Sequence, residues 1–228
     1  ANPQFKNPNG GMLDGDLHIS ATLATPIESS GFLLTNITDD FDGQTRTGLT
    51  PTDIGADAGD FVPLDIFPPN ITAFTLSNTS STGDRTFTVN ITDVTGIPVI
   101  AGSEPRVYFR KFASGSWNST AAIRTSGTAQ NGQWSFTIPQ ATLGGLSLSD
   151  SVYAYIIAQD SAASSNITSF PGGAIATNVN VVTTPPTTLL SYRIVPGLSG
   201  VINVGVGQTY TSLTGAGGLF EAVNNGSL

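Results

Sequence analysis

Four aspartates, Asp42, Asp53, Asp57 and Asp60, stand within the stretch FDGQTRTGLTPTDIGADAGDF (41–61), beside one cation, Arg46. Carboxylates packed this densely have three uses. They chelate a cation, they form an acid/base pair, or they accept hydrogen bonds from backbone N–H groups in turns. The calcium reading has a specific test. In TDDFDGQTRTGL (38–49) Asp40, Asp42 and Gly43 fall at the third, fifth and sixth positions of an EF-hand loop, but Thr38 and Leu49 occupy the first and last, where oxygen ligands are required. An EF-hand is therefore excluded, and a looser oxygen site of Asp39, Asp40 and Asp42 stays as the alternative to plain turn carboxylates, with no other cofactor expected.

Other chemistry is sparse. His18 is the sole histidine; alternation through Leu17-His18-Ile19 points it away from its apolar neighbours, so it is expected to face solvent rather than serve in a triad. Gly205 and Gly207 in VGVGQTY form a G-x-G with neither a third glycine nor a βαβ unit, which predicts a turn and no nucleotide loop. Arg106, Arg110 and Lys111, close to Tyr108 and Phe109, suit a solvated strand end, with contact to a glycan or an acidic partner as the second reading. The chain has no cysteine, so thiolate metal sites, disulfides and cysteine nucleophiles are excluded.

These residues must be positioned by a chain of 228 residues, only 11% charged and with formal net charge −8. An acidic excess without basic clusters argues against nucleic acid, and no stretch reaches the roughly 18 apolar residues of a membrane helix. A surface built on Ser, Thr, Asn and Gly is more usual outside the cell. The N-terminal ANPQFKNPNG is unlike a signal peptide, and the chain reads as a piece of a longer precursor.

The supporting elements are almost all strands. NITAFTLS (70–77), RTFTVNITDV (85–94), RVYFRKF (106–112), STAAIRT (119–125), QWSFTIP (133–139), SVYAYIIAQD (151–160) and ATNVNVVTT (176–184) alternate or are β-branched and aromatic-rich, between Gly, Pro, Asn, Asp or Ser clusters. Seven such segments predict an immunoglobulin or fibronectin III-like β-sandwich over 66–184, with Phe87, Val89 and Ile91 on one face and Trp134 as the large core aromatic. The Pro-Pro pairs in VPLDIFPPN and TTPPTTLLSY are expected joints. They leave 1–65 as one piece, lacking hairpins of its own, and 185–228 as another. The expected helix is GGLFEAVNN (217–225).

Residues 2–60 carry a series of phrases: Asn2, Pro3 and Phe5; Gly15, Asp16, Leu17, His18 and Ile19; Thr25, Pro26, Ile27 and Gly31; Asp40, Asp42, Gly43 and Arg46; then Asp53, Ile54, Gly55 and Ala56. In this order they resemble the closing segment of secreted right-handed parallel β-helix proteins of the pectate-lyase-like class. The tail INVGVGQTYTSLTGAGGLFEAVNNGSL (202–228) resembles the opening of such a domain, with Leu219, Phe220 and Val223 on the side of the helix that covers a first coil. The resemblance implies an all-β chain: a sandwich flanked by the C-terminal cap of one β-helix and the N-terminal start of another. That arrangement is similar to very large surface proteins of Bacteroidota, including type IX-exported adhesins of gliding cells.

On this resemblance the chain is expected to be a non-enzymatic spacer of a giant adhesin or filament on the surface of a Gram-negative bacterium. Its partners would be neighbouring domains of the same longer chain and a surface glycan or protein. The alternative is an accessory region of a secreted polysaccharide lyase or glycoside hydrolase, whose catalytic groups would lie on middle coils. The acidic stretch then reads as an end-stop. Asp42 and Asp53 accept from stranded N–H groups, Gly43 and Gly55 supply positive φ, Arg46 joins a carboxylate to a carbonyl, and Phe41, Leu49 and Ile54 plug the core. Ser151 and Ser161, each after an aspartate, resemble Bacteroidota O-glycosylation sites.

Overall fold

The computed structural model describes residues 2–32, 34–46, 49, 52–197 and 200–224. The described residues are all-β apart from a 3-10 turn at Gln140–Leu143 and one short α-helix, and the chain divides into two compact units, Ala1–Ile66 and Phe67–Leu228.

Among its described residues the first unit holds four short strands: β1 (Phe5–Asn7), β2 (Asp16–Ile19), β3 (Ala24–Thr25) and β4 (Val62–Pro63). β1 and β2 pair antiparallel, contrary to the expectation that this piece lacks hairpins. The turn between them is fixed by glycine, because a Cβ on Gly10 would lie 2.5 Å from the Cα of Gly15. β3 and β4 pair in parallel, Ala24 with Val62 and Thr25 with Pro63. Parallel pairing is what stacked coils use, but here it lasts two residues, and no solenoid forms among the described residues. Five of those residues are buried: Ile19, Ala58, Thr25, Glu28 and Asp53. Three of the five are polar, so this unit depends on directed hydrogen bonds more than on apolar burial.

The second unit is built differently. One antiparallel sheet contains β5 (Asn70–Ile71), β6 (Arg85–Thr92), β9 (Ile123–Gly127) and β10 (Asn131–Ile138), in the order β5-β6-β10-β9. The other has β7 (Arg106–Lys111), β8 (Asn118–Ala121), β11 (Ser151–Gln159) and β12 (Ile167–Phe170), in the order β12-β11-β7-β8. A hairpin of β13 (Ile175–Asn178) and β14 (Val181–Thr184) follows, and then β15 (Leu190–Arg193), which pairs with β11. The helix α1 (Leu219–Asn224) lies within the expected span, and its Phe220 is half exposed.

Both sheets face one core. In β6 the residues Val89 and Ile91 are buried and Phe87 packs against them, while β7 contributes Val107 and Phe109. Trp134, 1% exposed, is the largest fully buried side chain. Phe87 stacks on Phe136 of its own sheet at 5.6 Å and on Phe74 at 5.3 Å, and Phe74 meets Phe170 of the other sheet at 5.4 Å, so an aromatic row reaches across the core where no disulfide exists.

Three expectations need correction. The segment 176–184 is not one strand but most of the β13–β14 hairpin, turning at 179–180. The segment 119–125 is not one strand: β8 pairs with β7 in one sheet and β9 with β10 in the other, and the chain crosses between them at buried Ala122. The two-sheet unit also does not end at 184. Leu190, Tyr192 and Ile194 alternate into the core, because the strand after Pro185-Pro186 fills the free edge of β11 beside β12.

Candidate functional site

The first unit contains a cavity of about 530 Å³, walled by Phe5, Leu17, Ile19, Ile27, Phe41 and Ile54, with His18 and three aspartates, Asp16, Asp42 and Asp57, among its polar lining. His18 is central. Its Nδ1 lies 2.5 Å from Asp16 Oδ1 and its Nε2 2.8 Å from Asp42 Oδ2. The side chain is 42% exposed, so it is neither free in solvent, as the sequence suggested, nor sealed. Asp16 stands two residues before His18 on β2, and period-two geometry puts both on one face. Asp16 Oδ1 also accepts the His18 backbone N–H at 2.9 Å. That backbone bond, then the bond from the ring, hold the Asp16 carboxyl below the usual carboxylate range. Reciprocally, the bonds to Asp16 and then to Asp42 push the imidazole above its ordinary value.

Asp40, Asp57 and Asp53 serve the backbone instead. Asp40 Oδ1 accepts from the N–H groups of Asp42 and Gln44, at 2.9 and 2.7 Å, and Oδ2 accepts from Ala58 at 3.3 Å. Partial burial pushes this carboxyl up, but the N–H groups of Gln44, Ala58 and Asp42, with Arg46 nearby, outweigh that and hold it below the usual range. Asp57 Oδ2 accepts from Ile19 N–H at 2.6 Å. Asp53 takes Ser29 N–H on Oδ1 and Gly59 N–H on Oδ2, at 2.9 and 3.0 Å. Gly31 lies against the same strand of backbone: its N–H donates to Thr52 O, and a Cβ there would stand 2.3 Å from Asp53 O.

Arg46 acts otherwise than expected. Its Nε donates to Asp39 O at 3.2 Å, and Nη2 to Gly55 O at 2.7 Å and Ala56 O at 3.0 Å, so it gathers three carbonyls rather than a carboxylate. Gly43 and Gly55 have φ of 79° and 111°, the positive values that these turns require. Phe41 is 83% exposed and Ile54 about half exposed, so neither plugs a core; Leu49 is half-buried. Arg46→Met should remove the carbonyl bonds while keeping the stem. The expected loss is about 1 kcal/mol, modest because the bonds are solvent-accessible, read as a lower melting temperature of the first unit by calorimetry. An unchanged transition would show that the three bonds do not hold the turn.

For a cation, the approach of carboxylates differs from the expected set. Oxygens of Asp40, Asp42 and Asp57 come within 4.8 Å of one another, with Asp57 in the place given to Asp39. Asp39 instead forms a backbone bridge to Thr45. The bonds to N–H groups and to His18 account for where the three side chains stand.

The chain matches no family model and no curated protein. Function therefore rests on geometry. In the second unit the basic cluster is engaged internally: Arg106 with Ser119 Oγ, Arg110 over the Trp117 ring at 4.4 Å, and Lys111 with Asp150 at 2.6 Å. Gly205 and Gly207 sit in a turn with positive φ, the turn that the sequence predicts there. Ser161 is exposed in a turn, while Ser151 is half-buried at the start of β11. Sequence reasoning missed the His18 pairings. The Asp16 contact was available from the D-L-H spacing; Asp42, 24 residues away, carried no local signal.

Proposed function

We propose that the chain is a non-enzymatic structural segment of a large extracellular adhesin or surface filament. The first unit would be the closing end of a parallel β-helix and the second an immunoglobulin-like spacer. The observation that carries this reading is the use of the acidic stretch: Asp40, Asp53 and Asp57 bind backbone N–H groups and Arg46 binds carbonyls, which is the work of a terminus that satisfies its own main chain. The short parallel pair of β3 and β4 supports a β-helix end, since neighbouring coils pair in parallel. The tail from 202 onward would open a following domain, and its partners would be the neighbouring domains of the same polypeptide.

The cavity beside Asp16, His18 and Asp42 favours a second reading, an accessory region of a secreted polysaccharide lyase or hydrolase. The experiment that separates them is incubation of the purified chain with pectin, alginate, chondroitin and chitin. The spacer reading expects no unsaturated or new reducing ends. Release of either that disappears in Asp42→Asn would replace it with the enzymatic one.

A further inference from the structure

The charge of this chain is not shared between its units. Residues 1–66 contain ten carboxylates against Lys6 and Arg46, whereas the remainder has six of each sign, so the whole formal charge of −8 resides in the first unit. The sole histidine lies in that unit, with a carboxylate at each ring nitrogen. A neutral imidazole has one N–H and one lone pair. Whichever tautomer it adopts, one of its two carboxylates then meets a lone pair instead of a donor. Only the imidazolium satisfies both.

The two carboxylates belong to different segments of the unit. Asp16 is on β2, beside His18 itself, and Lys6 of β1 adds a favourable charge near Asp16. Asp42 is on the loop 40–46, whose Phe41 donates its N–H to Ala56 O at 2.8 Å. Asp57 faces the same cavity and holds the Ile19 N–H, and Asp40, with Arg46 as its nearby cation, approaches both; among the described residues that line the cavity, His18 is the one that can carry a positive charge. Arg46 is directed to the carbonyls of Asp39, Gly55 and Ala56.

We propose that His18 is a proton-operated latch that fastens the 40–46 loop to β2 across the mouth of the cavity. As imidazolium it bridges Asp16 and Asp42. As neutral imidazole it leaves Asp42 and Asp57 converging in the cavity without a cation and frees the wall that carries Phe41 and Asp42. The direction follows from linkage: the imidazole is raised above its ordinary value in the folded unit, so its contribution is fully present below the unfolded pKa and disappears as pH climbs through the folded one. Asp16 and Asp40, held low, contribute above the ordinary carboxylate range and lose their effect as pH falls through their folded values. The loop is thus best fastened in the mildly acidic window between the two.

The test uses the full chain and nuclear magnetic resonance, because the first unit has neither Trp nor Tyr and ultraviolet signals report on the other unit. One histidine gives one ring titration. Its midpoint should lie above about 6.5. Over the same midpoint the protection of the Phe41 amide, corrected for the intrinsic pH dependence of exchange, should fall about tenfold. Asp42→Asn should lower the ring midpoint and uncouple Phe41 protection from it. His18→Gln, which keeps one donor, should make protection independent of pH between about 5.5 and 8.5. A ring that titrates at its ordinary value, or Phe41 protection that ignores the ring titration in the unmodified chain, would overturn the latch. So would restoration of the high-pH protection by calcium, which would assign the carboxylates to a cation instead.

Discussion

Trp134→Ala should lower the stability of the second unit by about 3–5 kcal/mol, the cost of removing a fully buried large aromatic and leaving a cavity that the sheets cannot close. The ring lies between the faces of both sheets in one core with Val89, Phe109 and Phe136, and it is 1% exposed. The loss should appear as a drop of roughly 10–20 °C in the cooperative thermal transition. A shift of a few degrees would mean that the core repacks around the gap. The indole adds a sharper comparison: its Nε1 is buried and meets no acceptor among the described residues. Trp134→Phe removes that unmatched donor along with the second ring, so it should cost less than half as much as alanine. Equal costs for the two variants would show that the N–H is hydrogen-bonded after all.

Asp53→Ala should be the most damaging single change in the acidic stretch, about 2–4 kcal/mol in the first unit. The residue is 5% exposed, and each oxygen takes a different backbone N–H, from Ser29 and from Gly59. Alanine leaves both donors without acceptors in a place that water does not readily reach, at about 1–3 kcal/mol each. Ser29 has φ of 63°, a conformation that a non-glycine residue keeps only when its surroundings hold it, and the Asp53 carboxylate is one of its holders. Hydrogen exchange at the Ser29 and Gly59 amides is the direct readout. Both should lose protection in Asp53→Ala, and Asp53→Asn, with one acceptor oxygen left, should preserve one of them. Unchanged exchange in the alanine variant would remove Asp53 from its assigned role.

What could be read beforehand follows the range of the interactions. Phe87, Val89 and Ile91 share a face because strand alternation is written in neighbouring residues, and Trp134 was identifiable because a large aromatic in such a strand has few other places to go. Strand 119–125 gave no sign of breaking in two: Ala122 is small and apolar, and the residues on both sides suit a sheet. β15 was legible, since Leu190, Tyr192 and Ile194 alternate, but the preceding prolines suggested a joint where the chain in fact returns to the sheet edge. In the acidic stretch the glycine turns and the use of Asp53 as an acceptor for backbone N–H groups followed from residue type, though its burial did not. The partners of Asp42 and Arg46 did not, because a carboxylate or guanidinium states what it can bind and not which group will reach it. Hydrophobicity likewise left Phe41 and Ile54 on the wrong side of the surface.

The crossing at Ala122 has a mechanical meaning. Residues 118–127 run as one unbroken backbone from the edge of one sheet to the edge of the other, Ala122 N–H is anchored to Pro105 O at 2.7 Å, and the Thr120 hydroxyl donates to Thr137 O across the gap. Prising the sheets apart at this edge therefore does more than separate a pair of greasy faces. It puts the covalent chain under tension and must peel β8 from β7 or β9 from β10, one hydrogen bond after another. The segment works as a stitch through two layers of cloth, and under load this margin should be the last of the two-sheet unit to open.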